Sequence, residues 1–224
     1  MRYENITEAR FLSRPNRFIA QVELQGAQET VHVKNTGRCR ELLVEGCQVW
    51  LTAPDSPGRK TKYDLVCVRK NTSVIFNIDS QAPNKVMLEW LKTQGYDRIV
   101  PEYTYGGSRI DFYMEKADKK YLLEVKGCTL EFDGTGYFPD APTQRGTKHI
   151  RELIRAKKEG FNAAVGFVIQ MEGVSRVLAN TATDPEFGIA LQQAREAGVR
   201  VLFFPCRVTP DSLAITEMIE EDSI

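Results

Sequence analysis

The chain has 224 residues, 42% of them apolar, and its 30 lysines and arginines are balanced by 30 aspartates and glutamates. That length is enough for one large domain or two small ones with a buried core, and a net charge of zero excludes a disordered polyelectrolyte or a histone-like coat for nucleic acid. No apolar run approaches the roughly 18 residues that cross a bilayer, and residues 1–5 are too polar to open a secretory leader. We therefore expect a cytoplasmic protein without a membrane partner.

Residues 1–82 have the pattern of short strands separated by turns. Five strands and one short helix favour a small closed barrel; the OB-fold is the leading candidate, and another small barrel is the alternative. The helix is predicted over 39–44. Runs that stop at glycine, asparagine or proline predict strands over 18–24, 29–34, 48–52, 63–69 and 73–78.

Residues 83–224 have the pattern of a mixed α/β domain, after a boundary near 79–83. Asn84 is the predicted N-cap of the first helix, and Asp140 or Thr143 is the predicted cap of the second. The alternation of helices and strands predicts a sheet with helices on both faces. Helices are predicted over 84–92, 143–159 and 185–197, strands over 99–103, 109–114, 121–126, 163–170 and 199–204, and a loop over 133–142.

The cysteines and histidines limit the chemistry that the chain can carry. The five cysteines are scattered and never in C-x-x-C spacing, and His32 and His149 are the two histidines of the sequence. A disulfide framework, a structural zinc site and a Ser-His-Asp relay are therefore disfavoured. We expect any chemistry to depend on carboxylates, lysines and arginines.

The basic residues that can bind nucleic acid lie in local clusters. Residues 1–82 carry 12 basic and 9 acidic side chains, and residues 83–224 carry 18 basic and 21 acidic ones. Because neither half has a large net charge, a nucleic-acid site must be a local patch. Two clusters in the first half combine cations with aromatic rings, which is typical of grooves that bind a single strand or a nucleic-acid backbone. Each cluster by itself is more often an exposed loop. The predicted binding residues are Arg14, Arg17, Phe18, His32, Asn35, Arg38, Lys60 and Lys62.

A third cluster surrounds the predicted start of the helix over 143–159. Free N–H groups at a helix N-terminus favour anions, and the sequence places several side chains that bind phosphate at this point. The alternative is a capped loop with a solvated basic face. The predicted phosphate ligands are Thr143, Arg145, Lys148 and His149.

Three charged residues lie on two apolar strands in the second half. Glu124 and Lys126 lie two positions apart and share a strand face, and Asp111 alternates with apolar neighbours on the strand before them. If the two strands form a hairpin, Asp111 can lie beside Glu124. Two buried carboxylates repel unless a cation lies between them; their oxygens suit Mg²⁺ or Mn²⁺, and Lys126 can then act on a water or a phosphate. A surface hairpin with cross-strand salt bridges is the alternative.

Six motifs follow one another through nearly the whole chain: Arg14-x-Asn16-Arg17-Phe18, His32-Val33-x-Asn35-Thr36-Gly37-Arg38, Arg59-Lys60-x-x-Tyr63, Ser108-Arg109-x-Asp111-Phe112, Glu124-Val125-Lys126 and Phe138-Pro139-Asp140-Ala141-x-Thr143-x-Arg145-Gly146-x-Lys148-His149. In this order they closely resemble the sugar fermentation stimulation protein A (SfsA) family, and the last motif is highly specific. The resemblance implies an N-terminal OB-fold over 1–82 and a PD-(D/E)xK nuclease-like mixed α/β domain over 83–224. It also implies DNA binding without sequence preference and a link to the regulation of sugar (maltose) utilisation.

The resemblance also implies roles for individual residues. Asp111, Glu124 and Lys126 match the nuclease-fold signature as catalytic residues, although Ile110 stands where that signature has proline. The metal set that it implies is Asp111, Glu124, Val125 and Glu102, and Glu89 competes for the last position.

Two functions remain open at this stage. The first is a DNA-binding protein, with RNA as a further substrate to test, that has a Mg²⁺- or Mn²⁺-dependent phosphodiesterase site. The second is a non-catalytic DNA-binding regulator of sugar (maltose) utilisation. The complete Asp111, Glu124 and Lys126 set favours the first. A sugar-metabolising enzyme is disfavoured, since no sugar-phosphate loop or paired-carboxylate glycosidase pattern is present.

Overall fold

The computed structural model describes residues 1–35, 37–55, 58–70 and 74–221. Thr36 of the predicted Asn35–Arg38 turn and Ser73 of the strand predicted over 73–78 lie outside the described residues. Within the described ranges, no helix is both long enough and apolar enough to span a membrane.

A closed barrel forms the N-terminal part of the protein. Antiparallel pairing runs through the sheet in the order β3-β2-β1-β4-β5-β6, and a parallel pairing of β3 with β5 closes the first five strands. This five-stranded barrel confirms the predicted OB-fold. The strands are β1 (Ile6–Asn16), β2 (Ile19–Leu24), β3 (Ala27–Val33), β4 (Gln48–Thr52), β5 (Asp64–Arg69) and β6 (Ile75–Asn77).

The barrel differs from the sequence prediction at two places. The long strand β1 is absent from the prediction, because Glu8 and Arg10 alternate with the buried Ala9 and Phe11 and make the segment look like a charged surface. The predicted helix over 39–44 is wrong. Cys39 has a φ of 45°, outside the helical region, and the chain continues through turns.

The C-terminal part is built on a seven-stranded mixed sheet in the order β15-β14-β12-β9-β8-β7, with β16 paired to β14. The central strand β12 runs parallel to both β9 and β14, and helical crossovers make these parallel connections. The strands are β7 (Arg98–Tyr105), β8 (Ser108–Lys116), β9 (Lys119–Cys128), β12 (Asn162–Ile169), β14 (Arg200–Thr209), β15 (Ser212–Ile215) and β16 (Ile219–Glu220).

Helices cover both faces of this sheet, which confirms the predicted mixed α/β layers. Helix α1 (Ala82–Leu91) packs Val86 and Met87 against one face, whereas α2 (Gln144–Lys158) and α3 (Pro185–Glu196) pack against the other through side chains such as Leu153 and Leu191. Burial of these apolar stripes is the main stabilising term for the domain.

Two predictions for the C-terminal part are corrected by the structure, and a third, which left two caps open for α2, is decided. Asn84 is not the cap of α1: the helix begins at Ala82, and its N-cap residue is Gln81, which makes no side-chain capping bond to the described residues. Thr143 is the cap of α2: its side chain accepts a hydrogen bond from the Gly146 N–H at 3.0 Å. The predicted loop over 133–142 contains a strand of a small three-stranded sheet, formed by β10 (Leu130–Phe132), β11 (Thr135–Phe138) and β13 (Val177–Ala179).

Buried polar contacts join the two parts of the chain. The Asn77 N–H donates to the Gln170 carbonyl at 2.9 Å, and the Gln170 side-chain amide donates back to the Asn77 side-chain oxygen at 2.9 Å. A second contact lies at the predicted Asn35–Arg38 turn, where a Cβ on Gly37 would overlap a carboxylate oxygen of Asp140. The barrel therefore packs directly against the loop that leads into α2.

Candidate functional site

The β8–β9 hairpin brings the two predicted carboxylates to one place. The antiparallel register ends with Phe112 opposite Leu123, and Asp111 and Glu124 follow at the open end of the hairpin. The Asp111 Oδ2 accepts a hydrogen bond from the Val125 N–H at 2.8 Å, and its Oδ1 accepts one from the Asn84 side chain at 2.8 Å. The predicted hairpin is therefore confirmed, and α1 contributes a polar group to it.

Glu124 lies at the centre of a buried polar cluster, with 2% of its surface exposed. Its Oε1 accepts a hydrogen bond from the Lys126 ammonium at 2.5 Å and is also in contact with the His149 Nδ1 on α2. Its Oε2 is buried and has no hydrogen-bond partner among the residues that the structure describes. An orphaned carboxylate oxygen is costly in a protein interior, so this atom is the candidate ligand atom of the cluster.

The two carboxylates have opposite pKa shifts. Burial, and then the nearby charge of Glu124, raise the pKa of Asp111 above its ordinary value. Burial also acts to raise the pKa of Glu124, but the His149 hydrogen bond and the Lys126 ammonium outweigh it, and the pKa is lowered. Glu124 is thus held as an anion, whereas burial and the Glu124 charge make the ionisation of Asp111 more costly than in water.

These residues fit a divalent cation. The orphaned Glu124 Oε2 and the Asp111 carboxylate are hard oxygen donors of the kind that Mg²⁺ and Mn²⁺ prefer. Val125 can contribute only its backbone carbonyl, because its side chain is buried in the core beneath α1. Across the described ranges, no group of three or more His, Cys, Asp or Glu side chains is arranged to hold a metal ion. A cation here would therefore keep several waters.

Neither candidate for the additional acid contacts this pair in the described part of the chain. Glu102, on β7, lies 3.6 Å from the Arg109 guanidinium and is half exposed. Glu89 binds the N-terminal amine at 2.6 Å. The upstream side chain that reaches Asp111 is instead the Asn84 amide. The role of Glu102 as a metal ligand stays a prediction.

The predicted phosphate ligands around the start of α2 divide into two groups. Arg145 and Lys148 are exposed, and Lys148 donates to the Gly107 carbonyl at 2.7 Å. Thr143 serves as the cap, and its N–H donates to the buried Asp184. His149 is buried against Glu124 and does not belong to the exposed basic face, in contrast to its predicted position.

A basic groove lies where the barrel meets the loop that leads into α2. It has a volume of about 500 Å³ and its described lining contains no carboxylate. The exposed Phe18 lies beside it, with the Arg17 guanidinium 5.8 Å from its ring centre. We call this surface the arginine groove; its four cations are Arg14, Arg17, Arg38 and Arg40.

Two of the predicted binding residues maintain the shape of this groove. The Arg14 guanidinium donates to the backbone carbonyls of Arg38, Arg17 and Asn35 at 2.6 to 2.8 Å. The Asn35 side chain bonds the Gly37 N–H and the Ile78 carbonyl. The two terminal nitrogens of Arg14 and the side-chain amide of Asn35 are therefore already engaged, whereas the Arg17 and Arg38 side chains are exposed.

The second predicted basic cluster lies outside the arginine groove. Lys60 and Lys62 are exposed on the segment before β5, and the Lys62 ammonium lies 5.1 Å from the Tyr63 ring centre. His32 contacts the buried Asp64 at 3.1 Å. This cluster is a separate surface, and phosphate binding by Lys60 and Lys62 stays a prediction.

Sequence reasoning misses three contributors to the candidate site. It assigns Asn84 to a helix cap and His149 to a surface ligand, and it omits Arg40 from the binding residues. In the sequence, Asn84 and His149 stand out as polar residues on otherwise apolar helix faces. This pattern does not show which strand each side chain contacts.

The fold and the carboxylate cluster together define a two-domain class, in which an OB barrel precedes a mixed α/β domain with a buried acidic centre. Residues 12–77 match the family described as the SfsA N-terminal OB domain, and residues 81–212 match the sugar fermentation stimulation protein RE domain. The chain belongs to the sugar fermentation stimulation protein family.

Relatives of similar length support this assignment. A sugar fermentation stimulation protein homolog of Desulfitobacterium hafniense (strain Y51) is 51% identical over 98% of this chain and 97% of the relative, and one of Clostridium beijerinckii is 48% identical over 98% and 99%. Among solved structures, Pyrococcus furiosus SfsA in complex with Ca²⁺ is similar with a TM-score of 0.81 and 28% identity, covering 98% of this chain and 95% of that one.

Proposed function

We propose that this protein binds DNA in the cytoplasm without sequence preference and hydrolyses phosphodiester bonds with Mg²⁺ or Mn²⁺ held at Asp111 and Glu124. The observation that carries the proposal is the buried, unpartnered Glu124 Oε2 beside a second carboxylate. Buried polar atoms in proteins are normally hydrogen-bonded, so this open oxygen suits a ligand. The complex of Pyrococcus furiosus SfsA with Ca²⁺ supports a divalent cation in this family.

The side chains around the centre have separate tasks in this proposal. A bound divalent cation supplies positive charge to offset the charge that develops on the phosphate. Lys126, on the same strand face as Glu124, donates one of its three N–H groups to the Glu124 Oε1 and can use the others to orient a phosphate oxygen or a water. Asn84 and the Val125 N–H hold the Asp111 carboxylate in one orientation. The core beneath α1 and α2 excludes bulk water and strengthens these interactions.

The arginine groove supports the binding part of the proposal. Arginine combined with an exposed aromatic ring suits a nucleic-acid backbone with unstacked bases, because guanidinium groups pair with phosphates and rings stack on bases. The groove borders the loop before α2 through Ala141, and α2 carries exposed cations at Arg145 and Lys148. In this proposal a bound nucleic-acid strand runs from the arginine groove of the barrel past these two cations to the second domain.

Nuclease activity is tested directly with a substrate screen. Purified protein with Mg²⁺ or Mn²⁺ is incubated with single-stranded, duplex and branched DNA, with RNA, and with a panel of sugar phosphates as the control. We expect cleavage of at least one nucleic acid, dependent on the cation and abolished by a chelator. Binding without cleavage of any substrate would instead indicate the alternative, a regulator of sugar (maltose) utilisation that uses the fold only to hold DNA.

Binding through the groove is tested by its salt dependence. Replacing Arg17 and Arg38 together with alanine removes two cations, so the slope of log affinity against log salt should fall by about 1.4 to 1.8, at ~0.7 to 0.9 per phosphate contact. The loss should be similar for all sequences. The matched control replaces Lys119 and Lys120, two exposed cations at the β8–β9 turn. Equal losses in both double variants would show that the groove is not the binding surface.

A further inference from the structure

The side chain of His149 points into the protein from α2, a helix that exposes the cations Arg145 and Lys148. It lies on α2 among the buried residues Thr147, Ile150 and Leu153, which pack that helix against the sheet. Its Nδ1 contacts the Glu124 Oε1, the same oxygen that accepts the Lys126 ammonium. The imidazole and the ammonium therefore both contact Oε1, and neither contacts the other carboxylate oxygen, Oε2.

The position of α2 is itself fixed by buried hydrogen bonds. Asp184, 7% exposed, accepts the Thr143 N–H at 2.7 Å with one oxygen and the Phe187 N–H at 3.0 Å with the other. It therefore ties the starts of α2 and α3 together. Because α2 also packs its apolar side on the sheet, the imidazole of His149 is delivered to Glu124 from a rigid element.

We propose that His149 is a positioning residue for the carboxylate centre: with Lys126 it holds the Glu124 Oε1, so that Oε2 is kept free for a divalent cation. The inference depends on the proposed metal site and names a residue outside the Asp111, Glu124 and Lys126 set. If the two donors were divided between the two oxygens, each oxygen would have one lone pair engaged and neither would be fully open to a cation. A group that orients a metal ligand in this way typically changes metal affinity by 10- to 100-fold.

Manganese affinity separates positioning from mere packing. His149→Leu keeps an apolar volume but removes the donor, and we expect it to weaken Mn²⁺ binding at least tenfold in calorimetry. His149→Asn should recover most of the affinity, because its amide nitrogen is as many bonds from Cβ as the Nδ1 of histidine. The control is Lys158→Ala, at an exposed position of the same helix, which does not touch Glu124 and should leave Mn²⁺ affinity unchanged.

The outcomes are distinct from those of the proposed function. Mn²⁺ binding that is equally strong in His149→Leu and the wild type, or equally weak in His149→Asn and His149→Leu, would overturn the inference. So would a wild-type protein that binds no Mn²⁺. If His149→Leu does not fold, His149→Gln takes its place; its amide lies one bond farther out, so its affinity should fall below that of His149→Asn. Wild-type protein that binds Mn²⁺ but cleaves nothing refutes the nuclease and leaves the His149 assignment standing.

Discussion

Replacing Lys126 with alanine should reduce metal-dependent cleavage about a hundredfold, while DNA affinity changes little. Lys126 is the one ammonium seen on Glu124 in the described part of the chain, and its side chain is 13% exposed. Removing a charge-assisted group from a preorganised site costs about 3 kcal/mol in the transition state. Binding persists because the exposed cations of the arginine groove remain. Single-turnover cleavage and equilibrium binding on the same substrate measure the two effects.

Three further variants make the Lys126 result specific. Lys126→Met keeps the length of the aliphatic stem and should lose the same activity, which separates charge from packing. Lys126→Arg should restore little, because a planar guanidinium does not replace a compact ammonium in a confined site. Lys119→Ala, at the exposed end of the same strand, should cleave normally. If Lys126→Ala cleaved DNA at the wild-type rate, the activity would reside at another site of the protein or in a contaminant.

Replacing Asp111 with asparagine should abolish Mn²⁺ binding at millimolar concentration and yet stabilise the metal-free protein. Burial and the Glu124 charge disfavour the ionised Asp111, and the introduced amide relieves both. It can still accept the Val125 N–H and donate to a flipped Asn84 amide. We expect a gain of about 1 kcal/mol, or roughly 2 to 4 °C in Tm for a chain of this size. Asp118→Asn, in the exposed β8–β9 turn, is the control and should change neither quantity.

The stability gain of Asp111→Asn should depend on pH in a defined direction. The raised pKa means that the wild-type penalty exists only where Asp111 is ionised. The gain is therefore largest at neutral pH and disappears as the pH falls below the ordinary pKa of an aspartate. Excess Mn²⁺ should stabilise the wild type alone and reverse the order of the two melting temperatures. A lower Tm for Asp111→Asn without metal at neutral pH would contradict this electrostatic account.

Much of the carboxylate centre can be predicted because it is local. Alternation places Glu124 and Lys126 on one strand face, and a short charged turn predicts the hairpin that brings Asp111 to them. Register in a hairpin is set by residues close in sequence. The barrel class can be inferred in the same way from short strands and turns, although β1 escapes prediction because its outward side chains are charged.

The contacts that complete the centre depend on elements far apart in the chain. Asn84 reaches Asp111 from α1 and His149 reaches Glu124 from α2, and these helices pack against opposite faces of the sheet. Which side chain of a helix meets a given strand depends on the rotation of that helix, and rotation is set by packing in the core. The sequence therefore shows that His149 is a polar residue on a helix, but it does not show that its partner is Glu124.

The basic residues show the same division. The sequence predicts that Arg14, Arg17 and Arg38 form one cluster, because they lie near one another and near aromatic residues along the chain. Only the folded structure distinguishes them: Arg14 is used internally, because three carbonyls converge on its guanidinium, whereas Arg17 and Arg38 stay exposed. Residue types and their periodicity thus specify the chemistry available to this chain. Long-range packing decides which groups satisfy one another and which, like the Glu124 Oε2, remain open to a ligand.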